Sequence, residues 1–173
     1  MSLLRKRGVF MKTIYFAGGC FWGVQRFFDQ FDGVKETTVG YANGKTANPT
    51  YQDVKSQQSD HSETVKVVYD ETTLSLVDLL NYFYMIIDPL SLNKQGEDEG
   101  RSYRTGIYYT DTDELEIIQS FTNEMQKKYD EKIVVEILPL EHFYNAEDYH
   151  QKYLEKNPTG YCHIPFHMFR LKK

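Results

Sequence analysis

A cysteine that follows two glycines and precedes two aromatic residues is the first feature of this chain able to do chemistry. It stands in the run Gly18-Gly19-Cys20-Phe21-Trp22-Gly23, where a short β-type stretch gives way to helical spacing. The first turn of a helix presents unpaired N–H groups and a partial positive charge, which favour a thiolate over a thiol. A cysteine in such a place can have its pKa lowered from about 8.5 to about 3.5–7.5. The glycines let the chain turn sharply and leave the sulfur uncovered. Cys20 is thus expected as an ionised, accessible nucleophile, the alternative being a small buried apolar residue. A helix start cannot bury Cys20, Phe21 and Trp22 in one direction, so an aromatic ring is expected beside the sulfur unless both rings pack on a sheet. A thiolate walled by rings suits a substrate with a small apolar group next to a polar, electrophilic atom.

The elements that must position these residues follow from spacing. Residues 13–17 read as a strand, and Phe21, Val24, Phe27, Phe28 and Phe31 recur at helical spacing as far as Gly33. A strand over 34–41 ends in the turn Ala42-Asn43-Gly44, and 45–60 is a long polar loop of the kind that is usually functional or disordered. Residues 63–69 alternate as a strand, and Ser75-x-x-Asp78 is a capping box that opens a helix through Ile87. A second polar loop, 88–102, leads to a strand over 103–110, a helix over 113–129 and a strand over 133–138. A last helix is expected over 146–156, capped by Asn145 and stopped before Pro158. The order is βαββαβ followed by αβα. It predicts an α+β, two-layer sandwich with a ferredoxin-like core: a mainly antiparallel sheet, helices on one face, extra helices and long loops.

Composition removes several function classes. Net charge is −5 with acids and bases mixed along the chain, so neither a nucleic-acid stripe nor a basic membrane-binding helix is expected. No apolar run approaches the roughly 20 residues that span a bilayer. The opening segment carries Arg5, Lys6 and Arg7 but no apolar stretch of a signal peptide, so a cytoplasmic location is expected. Cys20 and Cys162 are the two cysteines. In a reducing compartment they are either unrelated thiols or partners in a transient, catalytic disulfide.

Beyond the cysteine run, ordered motifs cover nearly the whole chain. These are Gly40-Tyr41-Ala42-Asn43-Gly44, Asn48-Pro49-Thr50-Tyr51-Gln52-Asp53-Val54, His61-Ser62-Glu63, Asp88-Pro89, and Asn93-Lys94-Gln95-Gly96-Glu97-Asp98-Glu99-Gly100 with Tyr103-Arg104. Together with the cysteine run, from about Lys12 to Cys162, they resemble the peptide methionine sulfoxide reductase A (MsrA) family. The resemblance implies a peptide-methionine (S)-S-oxide reductase acting on protein-bound or free methionine sulfoxide. It implies that Cys20 attacks the sulfoxide sulfur, that Glu63 protonates its oxygen, and that Tyr51 and Tyr103 donate hydrogen bonds to that oxygen. It further implies that Phe21 and Trp22 hold the methyl group and that Asp98 holds the substrate's main-chain nitrogen. Each role fits the chemistry, because a sulfoxide sulfur is a poor electrophile until its oxygen is protonated or strongly hydrogen-bonded. Glu63 can act as an acid near neutral pH only if a partly dry pocket raises its pKa.

Reduction would leave Cys20 as a sulfenic acid, which condenses readily with a thiol. The resemblance implies that Cys162, in the segment Asn157-Pro158-Thr159-Gly160-Tyr161-Cys162-His163, resolves it as a disulfide that thioredoxin reopens. If Cys162 cannot reach, glutathione or glutaredoxin would recycle the enzyme. The expected organisation is an N-terminal extension over 1–11 outside the fold and one catalytic domain over 12–173. The segment 157–173 is expected to be mobile. A monomer without cofactor or metal is expected. Two alternatives are weaker. A metal-binding module would draw on His142, His150, Cys162, His163 and His167, which lack zinc-ligand spacing. A thiol peroxidase or disulfide oxidoreductase would be expected to carry Cys-x-x-Cys. The chain departs from the family pattern at Asp60, where glycine is commoner, at Gln25, where Glu is frequent, at Leu90, and at Arg101-Ser102.

Overall fold

Alternation along the strands decides which residues meet the helices and which meet the opposite surface. The structure, a computed structural model, describes residues 10–171, so the expected N-terminal extension over 1–11 lies outside the described residues as far as residue 9, whereas Met11 is already in the sheet, paired with Asp70. In chain order the elements are β1 (Met11–Gly18), α1 (Phe21–Phe28), β2 (Val34–Ala42), α2 (Tyr51–Lys55), β3 (Ser62–Asp70) and α3 (Leu76–Met85). The short strands β4 (Lys94–Gln95) and β5 (Asp98–Glu99) follow, then β6 (Thr105–Tyr109), α4 (Thr112–Gln126), β7 (Glu136–Pro139), β8 (Phe143–Asn145) and α5 (Tyr153–Lys156). Six strands form one sheet in the order β7-β6-β1-β3-β2-β8, antiparallel throughout except for the parallel pair β6 and β7. The architecture is mixed α+β with a mainly antiparallel sheet, as the element order predicts.

Ile14 and Phe16 of β1, Val39 and Tyr41 of β2, Val65, Val67 and Tyr69 of β3 and Ile107 of β6 face the helices. Phe16 stacks on Phe28 of α1 at 5.0 Å and on Phe83 of α3 at 4.6 Å, which ties both helices to β1. Tyr15, Ala17, Ala42 and Tyr108 face the other way, under Leu140 and Phe143. On that side the Tyr108 hydroxyl donates to Glu136 at 2.8 Å and meets the Ser62 hydroxyl at 3.0 Å. The Arg104 guanidinium donates to the same Glu136 carboxylate at 3.1 Å. Period two along β3 therefore places Glu63 on the helix-facing side with Val65, at the end of the strand where α1 begins.

The expected capping box of α3 is present: Ser75 Oγ accepts from the Asp78 N–H at 3.1 Å, and Asp78 accepts from the Ser75 N–H at 3.0 Å. The last expected helix is not. Residues 148–150 form a single tight turn, Lys152 adopts a left-handed φ of 55°, and only Tyr153–Lys156 is α-helical. The polar side chains of this strap serve tertiary partners instead. Gln151 accepts from the Val39 N–H at 3.0 Å and donates to the Val39 carbonyl at 2.9 Å. It thereby continues the ladder where pairing of β2 with β8 has stopped. Among the described residues no helix is long and apolar enough to cross a membrane.

Candidate active site

The thiol at the heart of the sequence motif occupies the turn between β1 and α1. Gly19, at φ +84°, makes the turn, and a Cβ there would stand 2.7 Å from the Gln95 Cβ. Cys20 is the residue that caps α1. The Trp22 N–H favours its thiolate, yet no capping hydrogen bond closes. The expectation of an uncovered, ionised sulfur is corrected here. Cys20 is 6% exposed, and burial, with the Glu63 charge second, pushes its pKa well above the usual thiol value. The helix terminus acts in the expected direction and is outweighed.

Glu63 is 2% exposed, and its Oε1 accepts the Phe21 N–H at 3.2 Å. Burial pushes its pKa up to about 8 against that hydrogen bond, with the Asp98 charge adding to the rise. At neutral pH the resting centre is therefore a thiol beside a protonated carboxyl. Tyr51 opens α2, and Tyr103 closes the turn Arg101–Tyr103 before β6. Burial first and the Glu63 charge second make both hydroxyls harder to ionise, Tyr51 being pushed up to about 12. Cys20 contributes to both shifts, so the two phenols border the same centre as the thiol and the acid.

The Phe21 ring is buried against Tyr41 at 5.8 Å and His150 at 5.3 Å, while the half-buried Trp22 stacks on Tyr153 at 3.8 Å. Asp98 sits in the β4–β5 hairpin with Oδ2 buried and without a hydrogen-bond partner among the described residues. Burial raises its pKa, and the Tyr161 hydroxyl beside it opposes the rise. The structure thus gathers Cys20, Glu63, Tyr51, Tyr103 and Asp98 around one centre, with the Phe21 and Trp22 rings at the start of α1.

Residues 161–163 lie over this centre. Tyr161 meets Asp98, and His163 packs against Gly19 and Gly96. Cys162 rests on the first turn of α1, where a Cβ on Gly23 would come within 2.6 Å of its sulfur. Both cysteines are free thiols. Among the described residues no group of three or more His, Cys, Asp or Glu side chains converges to hold a metal ion.

In the strap between β8 and α5, sequence reasoning gave Glu147 no role and weighed His150 only as a metal ligand. Glu147 accepts from the Tyr41 hydroxyl at 2.7 Å and from the Tyr51 N–H at 3.0 Å, fixing the start of α2. His150 accepts the indole N–H of Trp22 at 3.0 Å. The available signal was the poverty of the expected helix, which carries no apolar stripe long enough to justify it. Departures from the family pattern also find partners. Asp60 takes a left-handed φ of 60°, the reason glycine suits the position, and accepts from Arg101 at 2.9 Å. Two departures therefore form one ion pair across the loops that flank the centre. Gln25 donates to Thr37 at 3.2 Å and accepts from the Lys152 N–H at 2.8 Å, a double role that a carboxylate could not play.

A thiol, an acid and two phenols converging in a dry pocket are the equipment of a thiol-dependent oxidoreductase. The peptide methionine sulfoxide reductase family model matches residues 12–173. A peptide methionine sulfoxide reductase MsrA from Clostridium perfringens is 57% identical over 89% of this chain and 98% of its own. The reduced form of Mxr1 from Saccharomyces cerevisiae superposes with a TM-score of 0.84, at 37% identity over 88% of both chains. Mxr1 in complex with Trx2 matches with a TM-score of 0.59, at 26% identity over 83% of this chain and 84% of that one. The chain belongs to the peptide methionine sulfoxide reductase family, and it is an enzyme of methionine sulfoxide reduction.

Proposed function

We propose that the chain reduces the S epimer of methionine sulfoxide, free or within proteins, with Cys20 as nucleophile and Glu63 as acid. The observation that carries this reading is the pairing of a buried thiol with a buried carboxyl that remains protonated to about pH 8. Glu63 gives its proton to the sulfoxide oxygen while the Cys20 thiol loses its own, which the carboxylate takes up. Tyr51 and Tyr103 donate to the oxygen as its charge grows. The Cys20 sulfur bonds to the substrate sulfur, the oxygen passes to Cys20, and methionine departs. Cys20 becomes a sulfenic acid, oxidised by two electrons, and the substrate is reduced by two. Phe21 and Trp22 grip the methyl group, and the unpaired Oδ2 of Asp98 takes the substrate's main-chain N–H.

Cys162 then attacks the sulfenic acid, a disulfide forms and water leaves. Thioredoxin, its dithiol becoming a disulfide, restores both thiols. Three observations support this half of the cycle. Cys162 rests on the helix that begins at Cys20. A cleft of about 680 Å³ lined by Arg26, Leu154, Pro158, Cys162, Phe166 and Phe169 opens beside its sulfur. A relative, yeast Mxr1, is known in complex with Trx2. Tyr161 lies beside Asp98, so residues 161–163 move aside to admit substrate, while Ile164, Met168 and Phe169 beyond them are buried in the core. The strand order β6-β1-β3-β2, with α1 and α3 as crossovers, favours reading the core as the split β-α-β, ferredoxin-like arrangement. A monomeric, cytoplasmic enzyme is the matching cellular reading.

The test counts product. Cys162→Ser should release about one methionine per enzyme without reductant, as the wild-type first turnover does, and then stall with thioredoxin. Normal thioredoxin-driven turnover in that variant would reject Cys162 as the resolving thiol. Gly23→Ala should show a milder form of the same defect, because the new methyl displaces the Cys162 sulfur from α1. Its first turnover should stay within about threefold of wild type while steady-state turnover falls about tenfold or more, a difference of about 1.4 kcal/mol. An equal loss in both phases would place the damage at Cys20 instead.

A further inference from the structure

His150 is 1% exposed and carries no role in the reaction derived above, yet it touches most of the aromatic wall. Its Nδ1 accepts the Trp22 indole N–H at 3.0 Å. Its ring lies 5.3 Å from Phe21, 4.6 Å from Tyr51 and 4.1 Å from Tyr149, centroid to centroid. An imidazole can accept at Nδ1 only when that nitrogen bears no proton, so the ring is the neutral form protonated at Nε2. Nε2 is buried and has no hydrogen-bond partner among the described residues. Nothing therefore locks the tautomer except the indole itself. Protonation would set two donors face to face and release Trp22.

We propose that His150 is a positioning residue of the reaction: its neutral imidazole holds the Trp22 indole in place and so shapes the wall that grips the sulfoxide methyl group. The inference rests on the reading of Trp22 as part of that wall. Trp22 has one polar atom, and His150 is its partner, while Tyr153 stacks on its face at 3.8 Å with the rings 13° from parallel. Stacking leaves the indole free to slide and turn in its plane, whereas the hydrogen bond fixes its azimuth. A methyl pocket discriminates by such placement, since one extra methylene changes rates by about 10–200-fold in a well-fitted site.

Charge around His150 is sparse. From α1 it meets the uncharged Phe21 and Trp22, from α2 the phenol Tyr51, and from its own strap Tyr149 and Glu147. Burial holds its pKa below the usual imidazole value, and the Glu147 carboxylate works weakly the other way. The ring consequently stays neutral at physiological pH, and release of Trp22 belongs to acid conditions.

Trp22 is the one tryptophan of the chain, so its fluorescence reads this contact directly. The test compares wild type with His150→Asn, whose side-chain oxygen can take the place of Nδ1 without titrating, and with His150→Leu, which cannot accept. Emission is recorded from pH 8 downward, and first-turnover kcat/KM is measured for methionine sulfoxide and for its S-ethyl homologue. Wild type should prefer the methyl substrate and show an emission step on acidification. His150→Asn should lose the step yet keep the methyl-to-ethyl preference within about threefold. His150→Leu should reduce that preference about tenfold or more, mainly through KM, with an emission spectrum already like acidified wild type. The proposal is overturned if His150→Leu keeps the wild-type preference, or if His150→Asn loses as much as His150→Leu. Failure of the underlying reading would look different, since wild type itself would then show no preference between the two substrates.

Discussion

Cys20→Ser is expected to lower methionine formation by at least about 10⁴-fold, the scale on which loss of a nucleophile is felt. The substitution is nearly isosteric at a residue 6% exposed, so the fold should remain, with a stability change of about 1 kcal/mol or less. What disappears is the acceptor of oxygen. A serine in this place would have to form an oxygen–oxygen bond to relieve the sulfoxide, and no step of the cycle can drive that. The check is methionine released in one turnover, measured beside the unfolding midpoint. Residual activity above about a thousandth of wild type, with a folded protein, would end the claim that this sulfur takes the oxygen.

Glu63→Ala is expected to slow the sulfoxide step by about 10²–10⁴-fold, the usual contribution of a general acid. The same change should move a second quantity the opposite way. Glu63 is one of the groups that push the Cys20 pKa up, so its removal should make the thiol easier to ionise. Alkylation of Cys20 by iodoacetamide at pH 8–9 should therefore be faster in the variant while reduction of the sulfoxide is slower. The pH profile carries the sign. The carboxyl is the donor in its protonated form, which prevails below a pKa of about 8 and fades above it. First-turnover rates in wild type should thus be level at neutral pH and fall toward tenfold per unit above about pH 8. The Glu63→Ala profile should lack that falling limb. Unchanged first-turnover rates in the variant would remove Glu63 as the acid.

The two effects together predict that the resting thiol is not a general reagent. A sulfur ionised by a helix terminus alone would be open to any electrophile. On the proposed mechanism burial keeps the sulfur protonated at neutral pH, and its proton leaves as Glu63 delivers another to a bound oxygen. Alkylation of the wild-type thiol at neutral pH should accordingly be slow for a cysteine at a helix start.

Much of this enzyme was legible in the linear chain. Apolar periodicity revealed α1, α3 and α4 and the strands of the sheet's centre, because each buries one continuous face and a face leaves a repeat. Ser75 and Asp78 announced a cap that is made locally, within one turn. The motifs around Cys20, Tyr51, Glu63, Asp98 and Tyr103 named a family whose membership the comparisons establish. Local rules failed at the strap from 146 to 152. There the propensity for one long helix yielded to hydrogen bonds that Gln151, Glu147 and Lys152 make with β2, α2 and α1, all more than 90 residues away in sequence.

By itself, then, the chain determined its class of fold and its family, since these depend on pattern and residue type, and it pointed to Cys20 and Glu63 as the proposed thiol and acid. Only the tertiary structure decided their charge. Ionisation depends on what surrounds a group once water is gone, and for Cys20 the dry pocket and the neighbouring carboxyl outweigh the helix terminus that the local sequence advertised. Likewise only the folded strap could bring His150 to Trp22, a contact between residues 128 positions apart that no spacing rule records.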